Sequence, residues 1–308
     1  MKKSSNWRRL QRGSFAEDWT QRNTQRGNRD MVDFQTATSG LTDLPAAPVV
    51  VQKLHRLMSD EAGSAEIAKT VESDAALVAK ILKLVNSPFY GYSQEISSVK
   101  DAITILGIDA INQVILSTAV FHSFSVSDRI LDMRLFWEHS FAVGIIAKHL
   151  SRGAGRDIQN DTLVAGLLHD IGRLVYARCE PSMFTAFYVE RQTTTSIENE
   201  AEFFGMDHQQ VGALLAKKWH FPEGILSTVS NHHAPERAGK EFRYMVSVVN
   251  IADLLCHVMQ IGCSASSYVS EFFPSAWQIL KIEMGEIEEM LLAALEEIDR
   301  SRNMLGTL

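Results

Sequence analysis

From Leu41 onward, apolar residues recur three and four positions apart, the period of a helix that turns one face to a core. Val51, Leu54, Leu57 and Met58 trace such a face after Asp43-Leu44-Pro45, where a proline in the first turn marks a helix start. Ile67, Ala68 and Val71 mark a second helix. Ser73-Asp74 supply N-cap side chains for a third, through Leu77, Val78, Ile81, Leu82 and Val85. It stops at Asn86-Ser87-Pro88, because the residue before proline is driven out of the helical region. Ser98 with Asp101 three positions on is a capping-box pattern, opening a helix through Ile103 and Leu106. Gly107 closes it, and another helix starts near Asp109. Ile279, Ile282, Ile287, Met290, Leu291, Ala294, Leu295 and Ile298 predict a last helix near 278–300 that caps the core, with too few heptads for a coiled coil. No run alternates with the period of a strand, and no segment repeats. The pattern predicts an all-α, multi-helix bundle.

Residues 1–40 break this pattern. Lys2, Lys3, Arg8, Arg9, Arg12, Arg22, Arg26 and Arg29 stand among Gln, Asn, Ser and Thr with little apolar periodicity. Such a segment reads as a flexible tail, or as an electrostatic arm for nucleic acid or an acidic partner. Trp7, Phe15 and Trp19 leave open that it docks on its own core. The formal net charge of −7 gives no general reason to expect nucleic acid elsewhere. The Gly107 turn between two helices resembles a helix-turn-helix, but residues 109–116 carry no Lys or Arg for phosphate contacts, so helix packing is the preferred reading. Cys179, Cys256 and Cys263 lack a Cys-x-x-Cys pair, which argues against a disulfide framework and for a cytoplasmic location. No apolar run approaches the roughly 18 residues that span a bilayer. The basic N-terminus is not followed by the apolar segment of a secretory signal. No membrane partner is expected.

The candidate chemistry lies in five histidines and two aspartates on apolar helical segments. His139 shares a face with Val143, Ile146 and Leu150. His169-Asp170 sits in a run where Asp170 aligns with Leu163, Leu167 and Leu174, and a carboxylate buried there needs a positive partner. Ala165, Gly166 and Gly172 are small neighbours that leave room for a ligand or ion. His208 aligns with Gly212, Leu215 and Trp219. His232-His233 precedes Ala-Pro and so ends a helix, and Asp253 aligns with Val246, Val249 and Asn250. Singly, each has a structural explanation as a core residue, cap or salt bridge. Together they form the imidazole–carboxylate donor set of Zn, Fe, Mn or Co. Seven donors exceed what one tetrahedral ion needs, so a two-metal site bridged by one carboxylate is the economical reading. Arg173, one turn on, is the nearest basic residue for a phosphate oxygen; the alternative is a surface or helix-end arginine.

The order His139, His169-Asp170, His208, His232-His233, Asp253 resembles the HD superfamily of metal-dependent phosphohydrolases, and its HD-GYP branch most in ligand order. The wider context resembles the HDOD family. The resemblance rests on Leu44-Pro45-Ala46 with Leu54, on the run from Val71 through Asn86-Ser87-Pro88-Phe89-Tyr90-Gly91, on Ser98 to Gly107, and on Trp219-His220-Phe221-Pro222. It covers about residues 41–260. It implies two packed helical subdomains, 41–125 and 126–308, behind the 1–40 segment, and a role in signalling or regulation with a signalling protein as partner. It further implies that His139, His169, Asp170 and Asp253 hold one divalent ion and that Asp170, His208, His232 and His233 hold another, with Fe, Mn or Zn as candidates. The sequence departs from HD-GYP at Ala234-Pro235-Glu236-Arg237, where that branch carries its Gly-Tyr-Pro loop. Three functions follow as expectations. One is a signalling module whose metal site stabilises the fold or binds a nucleotide or phosphate ligand without turnover. Another is an active phosphohydrolase with Asp170 and Arg173 at its catalytic centre. The third is a scaffold for protein or nucleic acid, with the basic arm as the nucleic-acid contact.

Overall fold

The computed structural model describes residues 44–60, 62–87, 94–124, 126–189, 196–266 and 272–305. The basic segment 1–40, with Trp7, Phe15 and Trp19, lies outside them, as does Pro88-Phe89-Tyr90-Gly91. Among the described residues the chain is helical without strands. No helix there is long and apolar enough to cross a membrane.

The first five helices are α1 (Val49–Ser59), α2 (Ser64–Glu72), α3 (Ala75–Val85), α4 (Val99–Leu106) and α5 (Ile108–Ser123). They pack on one another through the expected faces: Val51 and Leu54, Ile67 and Val71, Ile81 and Leu84, Ile111 and Ile115 are all buried. The caps act as their chemistry predicts. Asp74 accepts from Leu77 N at 3.1 Å, and the Ser98 hydroxyl accepts from Asp101 N at 3.0 Å. Gly107 sits at φ +86, a conformation that favours glycine, and links α4 to α5. The helix expected at Asp43-Leu44-Pro45 starts later, at Val49. Residues 44–48 stay outside it, and Lys218 Nζ and Trp219 Nε1 take the carbonyls of Leu44 and Pro45 at 2.5 and 2.9 Å.

The second group comprises α6 (Met133–Leu150), α7 (Arg156–Leu168), α8 (Ile171–Cys179), the short α9 (Pro181–Phe184), α10 (Ile197–Phe204), α11 (His208–Lys218), α12 (Glu223–Asn231), α13 (Arg243–Met259), α14 (Pro274–Leu280) and α15 (Met284–Leu305). Helix α6 is its spine and packs on α7, α13 and α15. The expected single helix near 278–300 is two helices, broken where Lys281 adopts φ +54. Ala294 and Ile298 of α15 are buried, so the core-facing stripe is as read. The two groups meet where α5 lies on α7, with Gln113 donating to Asp161 at 2.6 Å. Most of α5 is buried, in keeping with a packing role.

The small residues near His169 do a different job from the one expected. A Cβ on Gly172 would lie 1.9 Å from the His208 carbonyl oxygen, and one on Gly166 would lie 2.8 Å from Gly144 Cα. They let backbones cross in contact, α8 on α11 and α7 on α6, rather than leaving space for a ligand. That close crossing brings His208 to Asp170.

Candidate metal centre

His169-Asp170 is the junction between α7 and α8, where the helix expected to run on is interrupted and Asp170 takes φ −98, ψ 15. The other sequence-predicted donors come from separate elements. His139 lies in α6, His208 opens α11, His232 and His233 follow α12, and Asp253 lies in α13. All seven are buried and converge on one cluster.

The hydrogen bonds of the imidazoles define their orientation. A carbonyl only accepts, so each ring nitrogen beside one must carry the proton. His169 Nδ1 donates to Gly166 O at 2.7 Å, His139 Nδ1 to Ile261 O at 3.2 Å, and His232 Nδ1 to Val229 O at 3.2 Å. His208 Nδ1 lies 2.5 Å from the Glu200 carboxylate, which also accepts the His208 backbone N–H. Four rings are therefore tied through Nδ1, and all four turn Nε2 inward.

Each inward Nε2 meets a carboxylate oxygen. His139 lies 3.1 Å and His169 3.6 Å from Asp253 Oδ1, while His208 lies 3.2 Å and His232 3.6 Å from Asp170 Oδ1. The Nε2 atoms of His208 and His232 are 3.2 Å apart. In the neutral rings these are lone pairs facing lone pairs, which requires a proton or a cation between them. Ligands held at about 2.1 Å from one metal ion stand about 3.0–3.4 Å apart in octahedral or tetrahedral geometry. The His139–Asp253, His208–Asp170 and His208–His232 separations fall in that range, as does His169 Nε2 at 3.3 Å from Asp170 Oδ2, while the two 3.6 Å separations lie just beyond it. His169 Nε2, Asp170 Oδ1, Asp253 Oδ2 and both ring nitrogens of His233 are buried without a hydrogen-bond partner.

Charge points the same way. Asp170, Asp253 and Glu200 are buried carboxylates, and Arg173 is the buried guanidinium beside them. With neutral imidazoles this leaves two uncompensated negative charges, which one divalent cation cancels. Without a cation, His169 is the ring that takes up a proton. Burial opposes charge on His169, but Asp170 and Asp253 outweigh it and push its pKa up to about 10. Burial dominates at His232, which falls to about 4, and also lowers His139 and His233, keeping those rings neutral and able to ligate. Burial works against ionised Asp170, yet Arg173 and His169 hold its carboxyl well below the usual range.

Sequence reasoning missed two members. His257, one turn after Asp253, places Nε2 3.3 Å from Asp253 Oδ1 and could join the donors there. Its i, i+4 spacing was the available signal. Glu200 is wholly buried behind His208; a π-helical turn at Thr185–Val189 brings Tyr188, whose hydroxyl donates to Glu200 at 2.8 Å. Glu200 stands among Glu198 and Glu202 in sequence, and nothing local separates it from solvated neighbours.

Arg173 is not the surface or helix-end residue offered as the alternative. It is 3% exposed, and its Nη1 donates to Asp170 Oδ2 at 2.7 Å, to Ser264 O at 3.0 Å and to the Ser264 hydroxyl. The loop after α13 supplies that acceptor and also the Ile261 carbonyl for His139. It passes so close to α6 that a Cβ on Gly262, at φ +64, would lie 2.3 Å from His139 N.

A family model for the HDOD domain matches residues 44–235. The chain belongs to the HDOD domain family. An HDOD domain protein of unknown function from Geobacter sulfurreducens is 26% identical, with a TM-score of 0.69 over 89% of this chain and 97% of its own. A candidate phosphohydrolase from Shewanella amazonensis SB2B shares the fold at 20% identity, with a TM-score of 0.67 over 87% of this chain and 97% of its own. An uncharacterized protein of Treponema pallidum (strain Nichols) is 24% identical over 236 residues, 72% of this chain. The match covers 45% of that relative's own length. The HDOD model ends at Pro235, so Asp253 and His257 lie beyond the matched segment.

Proposed function

We propose that this HDOD protein is a regulatory module whose buried histidine–aspartate cluster holds divalent metal as part of its folded, signalling-competent state. The observation that carries this reading is the common orientation of four imidazoles. Each is tied outward through Nδ1; His139, His169 and His208 present Nε2 to a carboxylate oxygen at 3.1, 3.3 and 3.2 Å, and His232 presents its own 3.2 Å from His208 Nε2. In this reading His139, His169, Asp170 and Asp253 hold one ion, with His257 beside Asp253. Asp170, His208, His232 and His233 hold a second, so Asp170 serves both. Bound ions would supply Lewis-acid activation of water and neutralise charge on a phosphoryl ligand.

The protein's own residues set the limits of that site. Glu200 fixes the proton of His208 on Nδ1, as an outer carboxylate does behind many metal-bound histidines. Arg173 holds Asp170 through Oδ2, which also faces His169 at 3.3 Å, and leaves Oδ1 facing His208 and His232. Two ions would carry more charge than the cluster offsets, so the second would come with an anion such as a phosphate-bearing ligand. The seven donors are all buried, with His233 the most open at 7%. A closed site of this kind favours holding an ion over processing a bulky phosphodiester. The phosphohydrolase reading is kept by one feature, a carboxylate shared between two donor sets.

Metal analysis of the purified chain, followed by assays on phosphomonoesters and cyclic dinucleotides with Mn or Fe added, separates these readings. Stoichiometric metal without turnover is the expected result. Turnover that vanishes in His233→Gln would establish the phosphohydrolase instead. His233 ring atoms have no protein hydrogen bond, so this variant should fold and lose metal affinity by about tenfold or more.

A further inference from the structure

A groove of about 460 Å³ lies between the turn Pro235–Arg237, the start of α13 and the end of α14. None of the cluster donors lines it. Glu236, Arg243, Ser247, Ser275, Gln278 and Lys281 make up most of its wall.

Ser247 is the decisive residue. It is wholly buried, and its hydroxyl has no hydrogen-bond partner. Helical Ser and Thr usually return the hydroxyl to the carbonyl four residues back, as Ser230 does to Leu226 at 2.6 Å and Thr228 to Gly224 at 2.9 Å. Ser247 lines the groove instead with that bond unmade. A buried unpaired hydroxyl is costly, and a water or a ligand oxygen reaching it from the groove would supply the missing partner.

The cations of the groove are placed by backbone. Arg243 donates through Nε and Nη2 to Ala238 O and through Nη2 to Glu236 O, which fixes the guanidinium at the wall. Lys281 sits at the left-handed end of α14, φ +54, and no ion pair holds it among the described residues. Two cations face one carboxylate, Glu236, so the groove has a net positive charge. Its volume falls within the roughly 300–1,000 Å³ of small-molecule sites. No aromatic side chain lines it, so it offers no stacking platform for a nucleobase.

We propose that this groove binds a small hydroxylated phosphomonoester, a sugar phosphate in chemical class. Arg243 and Lys281 meet the phosphate, and the Ser247 hydroxyl, Glu236 carboxylate and Gln278 amide meet the sugar hydroxyls. The site does not depend on metal in the histidine cluster.

Isothermal titration of the full chain, as purified, with ribose 5-phosphate, inorganic phosphate and AMP tests this. Ribose 5-phosphate should bind about tenfold or more tightly than inorganic phosphate, and AMP no more tightly than ribose 5-phosphate. Lys281→Glu should weaken ribose 5-phosphate about tenfold or more. Ser247→Ala should weaken it several-fold while leaving the ligand-free melting temperature at or above that of the unaltered protein. No heat with ribose 5-phosphate would overturn the proposal. So would equal affinity for inorganic phosphate, tighter binding of AMP, or unaltered affinity in Lys281→Glu, which would place the ligand elsewhere.

Discussion

At the scale of single residues, the cluster is governed by where protons and lone pairs sit. Glu200 is the clearest case, because it touches no candidate ion yet sets the tautomer of His208. Glu200→Gln should lower metal affinity about 10–100-fold, measured by competition with a chromogenic chelator. Unchanged affinity would remove Glu200 from the account. Gly172 acts through sterics alone. The Cβ of Gly172→Ala would meet the His208 backbone at 1.9 Å and Gly212 N at 2.9 Å, and neither can move without parting α8 from α11. We expect a loss of about 3 kcal/mol or more in chemical denaturation, or no folded protein at all. A near-neutral result would mean that the crossing is looser than described.

Legibility differs sharply between these residues. His139, His169, Asp170, His208, His232, His233 and Asp253 were readable because titratable side chains on apolar faces are rare and stand out against Val, Leu and Ile. Glu200 was not readable, since its burial comes from a tertiary contact with the first turn of α11. Arg173 was located but its direction was not. Only the folded loop after α13 supplies Ser264, and with it the reason the guanidinium points inward.

At the scale of elements, caps and periodicity predicted α2 to α4 and the start of α5 closely, while the bounds of the first and last helices differ from the reading. Helix α1 starts late because a second proline, Pro48, stands extended at its N-cap (φ −51, ψ 148) and disfavours helix at Ala47, while the carbonyls of Leu44 and Pro45 bond to Lys218 and Trp219, 174 residues on. The terminal run divides at Lys281, where an apolar period continues across a break that the pattern alone does not reveal. Helix α15 is fastened to α6 by polar contacts as well as by Ala294 and Ile298. Glu297 accepts from Lys148 Nζ at 2.9 Å and lies 2.9 Å from His149 Nε2. Burial opposes ionisation of Glu297, but His149 and Lys148 outweigh it and hold its pKa below the ordinary value. A carboxyl with a lowered folded-state pKa contributes stability above its unfolded pKa, and that contribution is lost as pH falls through the folded one. Glu297→Gln should therefore cost about 1–3 kcal/mol near pH 7, with the difference shrinking below about pH 4. Melting curves of both proteins across that range would show this. A gap independent of pH would contradict an ionised Glu297.

At the scale of the whole molecule, two helical groups meet along α5 and α7, and the second holds one polar cluster drawn from α6, the α7–α8 junction, α11, the end of α12 and α13. Donors so far apart in sequence meet only when the second group is folded. Metal would therefore stabilise the assembled state by mass action. The all-helical class followed from the absence of strand periodicity. The tertiary site needed the glycine crossings, which hydrophobic pattern does not encode. The most direct measurement is an anomalous difference map at the Fe, Mn and Zn edges from crystals of the purified chain. The account predicts peaks within coordination distance of Asp170, between His139 and His169 on one side and among His208, His232 and His233 on the other. A featureless map, with those rings meeting only Asp170, Asp253 and Glu200, would contradict it.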